Sequence, residues 1–153
     1  MIGIIGAMDE EIQEILNVTK NVKHNRYHNI DFYEGIMNHT PVVIMKSGVA
    51  KVAAAMTTTV LCEHYDVKGL INIGTAGGLK DDEEVLDVVV STKVAHHDVD
   101  VTPFNWPRGF DQTKTCYCAD ERYVKAIKSV INSKDRVWVG PMVSGDSFIY
   151  NEK

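Results

Sequence analysis

The chain has 153 residues, 44% of them hydrophobic and 24% charged, with a formal net charge of −5 and four arginines (Arg26, Arg108, Arg122 and Arg136). This is the make-up of one ordinary globular domain, and it excludes a nucleic-acid surface, which needs clustered cations. No apolar run approaches the roughly 18 residues of a membrane span and no basic segment precedes the first apolar stretch, so neither membrane nor signal peptide is expected and the location is read as cytoplasmic.

Met1 to Gly6 is a short apolar run, suited to a central parallel strand buried on both faces. A helix follows, opened by Asp9, Glu10 and Glu11, with Met8, Ile12, Ile15 and Leu16 on one side at helical spacing. An acidic first turn suits the positive end of the helix dipole, which accounts for two of the three acids. Lys20 to Asn29 is polar and reads as a loop. Asp31–Met37 and Pro41–Lys46 read as the two strands of a hairpin turning at Asn38-His39-Thr40. Ser47-Gly48 ends the second, and an alanine-rich helix runs from about Ala50 to Tyr65, with Val52, Met56, Val60 and Leu61 expected on its inner side.

Leu70 to Leu79, LINIGTAGGL, is the most informative stretch. A buried strand runs into Gly74-Thr75-Ala76-Gly77-Gly78, where bare backbone can approach a ligand. Ligands of open α/β sheets gather outside the carboxyl ends of the strands. The exits after Ile5 and Val143 carry similar small residues, which predicts one shared pocket. Lys80 to Glu84 reads as a solvated charged turn. Val85 to Ala95 is a strand, and 98–115 a long loop bearing Phe104, Trp106, Pro107, Gly109 and Phe110, a length usually reserved for function. Asp120 caps a helix through about Asn132, with Tyr123, Val124, Ile127, Val130 and Ile131 facing inward. Arg136 to Val143 is a further strand, leading to Ser144-Gly145-Asp146-Ser147-Phe148-Ile149. Alternating strands and helices with one hairpin predict an α/β fold with a mixed central sheet flanked by helices, a single domain over 1–153 that is C-terminally incomplete.

Several chemistries are disfavoured by spacing. Cys116-x-Cys118 is wrong for a zinc knuckle, and Cys62, Cys116 and Cys118 read as free thiols. His96 and His97 point to opposite faces of a strand, which disfavours a metal site with Asp98 and Asp100. No serine sits in a nucleophile elbow, and neither a dinucleotide nor a P-loop glycine pattern is present. Two candidates remain. Glu11, in the first turn after strand one, could face the pocket as a general base toward water. Phe148-Ile149 offers an aromatic face beside free backbone groups, which suits a purine.

Five motifs, IGIIGAMDEEI (2–12), KSGVAKVAAA (46–55), INIGTAGGL (71–79), HDVDVTPF (97–104) and VSGDSFI (143–149), closely resemble the nucleoside phosphorylase-like superfamily. Within it the chain is similar to the bacterial 5′-methylthioadenosine/S-adenosylhomocysteine nucleosidases. The resemblance implies hydrolysis of the N-glycosidic bond to adenine and a thioribose product, without cofactor or metal. It assigns Glu11 to water, Met8 to the ribose and Val49 to the 5′-alkylthio group. Thr75, Ala76 and Gly77 would line the base and ribose region, Phe148 would stack on adenine, and the Ile149 backbone would read its edge. It also implies a homodimer in which Val101 and Phe104 reach the neighbouring pocket. An acidic first loop without an adjacent arginine suits water over phosphate, so a purine nucleoside phosphorylase is the second choice. A non-catalytic adenine-binding or dimerisation fragment is the third. The family's Met-Glu pair and Ser-Asp motif have no counterpart here. Since loss of a general acid alone costs about 10²–10⁴-fold, the 153-residue chain is expected to be weak or inactive.

Overall fold

A computed structural model describes residues 1–106, 116–131 and 136–147. The chain divides into two compact units, Met1–Ala76 and Gly77–Lys153.

The first unit carries β1 (Ile2–Gly6), α1 (Asp9–Val18), β2 (Lys20–Tyr27), β3 (Ile30–Met37), β4 (Thr40–Lys46), α2 (Lys51–His64) and β5 (Gly69–Asn72). The strands form one mixed sheet in the order β2-β3-β4-β1-β5. β1 pairs in parallel with β4 and β5, while β2, β3 and β4 are antiparallel neighbours. Successive strand residues point to opposite faces, and this sorts the core into two layers. Ile5, Phe32, Val43 and Met45 meet Leu61 and Tyr65 at the C-terminal end of α2. Ile4, Val42 and Ile44 meet Ile12, with Ile15 and Leu16 half-buried beside them. α1 therefore covers one face and α2 the other. Thr19 closes α1 by donating its hydroxyl to the Ile15 carbonyl at 2.6 Å.

Three expectations need correction here. Residues 20–27 are a strand, not a loop. β2 lies at the sheet edge, where Lys20, Lys23 and Arg26 guard exposed backbone and no hydrophobic alternation is required. On α2 the buried residues are Thr57 and Leu61, whereas Val52 and Met56 are 78% and 56% exposed. That helix is apolar all round, so periodicity alone does not choose its inner face. β5 is not buried on both sides: it ends the sheet, and Leu70 is 40% exposed.

The second unit contains β6 (Val88–His96), a 3-10 turn at Thr102–Phe104, β7 (Cys116–Cys118), α3 (Glu121–Val130) and β8 (Val137–Ser144). Its sheet has the order β7-β6-β8, with β6 and β8 parallel and β7 antiparallel to β6. The short strand β7 follows the predicted long loop and was not expected. Pro107, Gly109 and Phe110 of that loop lie outside the described residues. Asp120 caps α3 as expected, accepting the Arg122 N–H at 2.9 Å. Tyr123, Val124 and Ile127 are half-buried, but Val130 is exposed, at the fraying end of the helix. The turn at 80–87 is more built than a solvated loop. Asp87 accepts from Arg136 Nε (2.7 Å), Trp138 Nε1 (2.7 Å) and the Glu84 N–H (3.0 Å), and these donors hold its carboxyl far below the usual range.

Candidate active site

In the first unit the parallel strands β4, β1 and β5 release their chains at the same sheet edge. The exits are stitched together by backbone: Ser47 N–H donates to the Gly6 carbonyl at 2.8 Å, and Ile73 N–H to the Ile5 carbonyl at 2.9 Å. The helix after β1 goes to one face and the helix after β4 to the other, so the loops diverge at the carboxyl ends of the strands, the usual ligand position in open α/β sheets.

Glu11 turns into that edge. Its Oε2 accepts the N–H groups of Ala7 (2.6 Å) and Met8 (3.2 Å), closing the N-terminus of α1 onto its own side chain. Its Oε1 accepts the Thr75 N–H at 3.0 Å, with the Thr75 hydroxyl at 3.4 Å. One carboxylate thus bridges the loops after β1 and β5. The bridge requires glycine at position 74, where a methyl group would lie 2.7 Å from Oε1 and 3.0 Å from the carboxyl carbon. Of the three acids in the first turn, Asp9 pairs instead with Lys46 Nζ at 2.7 Å, an ion pair that raises the lysine's pKa, and Glu10 is exposed. The two oxygens differ in remaining capacity. Oε2 has both acceptor positions engaged, whereas Oε1 holds one good bond and one long contact and has room for a further donor.

The sequence-derived candidates fall into three groups. Met8, Glu11 and Thr75 are brought together by these hydrogen bonds, with Ala76 next in the loop. Met8 is 40% exposed, and Val49, at the neighbouring β4 exit, is 69% exposed. Gly48 and Ala50 flank Val49 with φ of +78° each, a conformation that costs alanine about 1–3 kcal/mol. Gly77, Val101 and Phe104 belong to the second unit. A side chain at Gly77 would meet nothing within 4 Å. Val101 is half-buried; Phe104 ends the 3-10 turn that Asp100 caps through Thr102, and is 76% exposed. Phe148 and Ile149 lie outside the described residues. His96 Nδ1 is the one buried side-chain nitrogen or oxygen without a hydrogen-bond partner among the described residues. Among the described residues no group of three His, Cys, Asp or Glu side chains gathers to hold a metal. No described helix is long and apolar enough to cross a membrane. Ala7, whose N–H fixes Oε2, carries no sequence signal, because any residue but proline supplies that donor.

Parallel-strand exits bridged by one inward carboxylate belong here to a recognised superfamily. The family model described as the phosphorylase superfamily matches residues 1–153, running through both units. The chain belongs to that superfamily, and within it to the 5′-methylthioadenosine/S-adenosylhomocysteine nucleosidases. It is 44% identical to the nucleosidase of an Exiguobacterium species, over 99% of this chain and 66% of that one. It is 37% identical to that of Bacillus subtilis, over 99% and 67%. The Streptococcus pneumoniae nucleosidase, solved with the transition-state inhibitor MT-ImmA, superposes with a TM-score of 0.90 at 33% identity, over 96% of this chain and 65% of that one. The chain thus spans about 66% of the length of the curated relatives it matches.

Proposed function

We propose that the protein hydrolyses the N-glycosidic bond of 5′-methylthioadenosine and S-adenosylhomocysteine, with Glu11 activating the water. The carrying observation is the asymmetry of the Glu11 carboxylate, one oxygen saturated by backbone N–H groups and the other left with capacity beside Thr75. Water donating to Oε1 would be oriented by a group that cannot rotate away. As the C–N bond breaks, its electron pair leaves with adenine and the ribose becomes oxocarbenium-like. Water oxygen bonds to the anomeric carbon as its proton passes to the Glu11 carboxylate, and the departing adenine, which holds the electron pair of the broken bond, takes its proton from solvent water.

In this reading Met8 lies along the ribose and Val49 along the 5′-alkylthio group, both supported by their exposed apolar side chains. Thr75, Ala76 and Gly77 line the base and ribose region, Phe148 stacks on adenine and the Ile149 backbone reads its edge. The enzyme acts in the cytoplasm as a homodimer in which Val101 and Phe104 reach the partner's pocket; the exposure of Phe104 supports this. No cofactor is required.

The test is adenine release from 5′-methylthioadenosine with and without added phosphate, with sedimentation velocity on the same sample. Weak release indifferent to phosphate, from a dimer, is expected. Strict phosphate dependence would move the assignment to a phosphorylase, and a monomer with undiminished turnover would remove Val101 and Phe104 from the site.

A further inference from the structure

The motif His97-Asp98, set aside as metal-ligand material, finds a different use in the second unit. β6 and β8 run parallel, and their ladder ends at the pair His96 and Ser144. Three successive contacts then carry the pairing past that end. His97 N–H donates to the Ser144 carbonyl at 3.1 Å. The His97 imidazole lies against Gly145, so that a methyl group there would sit 2.2 Å from Nε2 and 2.8 Å from Cδ2 and Cε1. Asp98 Oδ2 accepts the Asp146 N–H at 2.8 Å. Gly145 is not among the residues of positive φ, so its backbone does not demand glycine. The imidazole does.

We infer that His97 and Asp98 are positioning residues that fix the backbone of 144–146 and thereby set the affinity for the adenine base, an inference resting on the reading above that gives the nearby Phe148 and Ile149 to that base. A base read by main-chain donors and acceptors depends on backbone placement to fractions of an ångström, because hydrogen bonds weaken steeply with misalignment. The ring and the carboxylate act on consecutive residues, from one side chain each. Neither touches the reacting atoms, so their loss should appear in binding of the base before it appears in the fold.

The experiment pairs adenine titration calorimetry with amide hydrogen exchange on the same 153-residue chain. In Asp98→Ala the Asp146 amide should exchange at least about tenfold faster and the Kd for adenine should rise by about tenfold, a loss of one charge-assisted hydrogen bond. Asp98→Asn keeps an acceptor oxygen and should recover most of both. Gly145→Ala should raise the Kd similarly when His97 is present, and add little in the His97→Ala, Gly145→Ala double variant, where the obstructing ring is gone. Thermal midpoints distinguish positioning from lost stability. The inference is overturned if Asp98→Ala leaves Asp146 exchange or adenine affinity unchanged, or if Gly145→Ala is equally harmful without His97. Asp98→Ser, whose hydroxyl is too short to reach the Asp146 N–H, carries the exchange test should the alanine variant not fold. Failure of the wild-type chain to bind adenine would instead overturn the nucleoside reading, and with it the role given to the clamp toward the base, while Asp146 exchange still reports whether the carboxylate holds the loop.

Discussion

Replacing Glu11 by glutamine removes one oxygen and changes little else in shape, so its effect can be worked out atom by atom. In the wild type both oxygens face donors: Ala7 and Met8 N–H on one side, Thr75 N–H on the other. A glutamine has one acceptor. With its carbonyl toward Ala7 and Met8, its amide confronts the Thr75 N–H across about the same 3.0 Å, donor against donor; turned over, it loses two bonds to save one. The better arrangement forfeits one charge-assisted hydrogen bond, about 1.5–3 kcal/mol, and weakens the others. Glu11 is only half-buried and Thr75 exposed, so water recovers part of this, and a net loss of about 2 kcal/mol is expected. With a urea slope of about 1–3 kcal/mol/M, the midpoint should fall by roughly 1 M. Both tryptophans, Trp106 and Trp138, lie in the second unit, so the melt must be followed by far-ultraviolet circular dichroism rather than tryptophan fluorescence. Gly74→Ala should lower the midpoint comparably, by driving a methyl group into Oε1. A Glu11→Gln midpoint within about 0.3 M of wild type would refute the bridging role, since that shift is well under one such bond.

Ala50→Gly should stabilise the chain by about 1 kcal/mol, relief of the strain at φ +78° exceeding the added flexibility of the unfolded state, and a chemical melt reads the sign directly. Phe32 is fully buried between the hairpin and α2, and Phe32→Ala should cost about 3–5 kcal/mol by the same melt; a loss under about 1 kcal/mol would place the core elsewhere. Asp87 has a folded pKa below its unfolded value of about 3.9, so it stabilises the second unit above that pH and ceases to as pH falls toward the lowered folded value. Tryptophan fluorescence in a Trp106→Phe background, reporting Trp138, should show acid unfolding shifted to higher pH in Asp87→Asn; an unchanged acid limb would contradict this. Tyr65, raised to about 12 by burial, stabilises below pH 10 and stops doing so between 10 and about 12, a loss that Tyr65→Phe should abolish in alkaline melts.

What could be read beforehand follows from where each signal resides. β1, the hairpin of β3 and β4, and the capped helix α3 announce themselves locally, through apolar runs, a turn and an Asp before a helical pattern. β2 does not, because an edge strand facing water can be polar along its whole length. The inner face of α2 is only half legible: Val60 and Leu61 do pack on the core, but Val52 and Met56 compete with them in a helix that has apolar side chains on every side. At the site, nothing local separates Glu11 from Asp9 or Glu10, since the helix dipole favours all three. Its distinction is made elsewhere, by the missing Cβ of Gly74 and the main chain of Thr75. The Asp87, Arg136 and Trp138 cluster likewise joins residues distant in the chain, and the grip of His97 on Gly145 leaves no trace in either segment alone.

The most direct test of water activation by Glu11 is to incubate the protein, in excess over 5′-methylthioadenosine so that a single turnover registers, in phosphate-free water enriched in heavy oxygen, and to weigh the sugar released. Heavy oxygen at the anomeric position, formed at least 100-fold more slowly by Glu11→Gln, is predicted from the loss of a general base. Label appearing equally fast in that variant, or a sugar formed only when phosphate is supplied, would contradict the account.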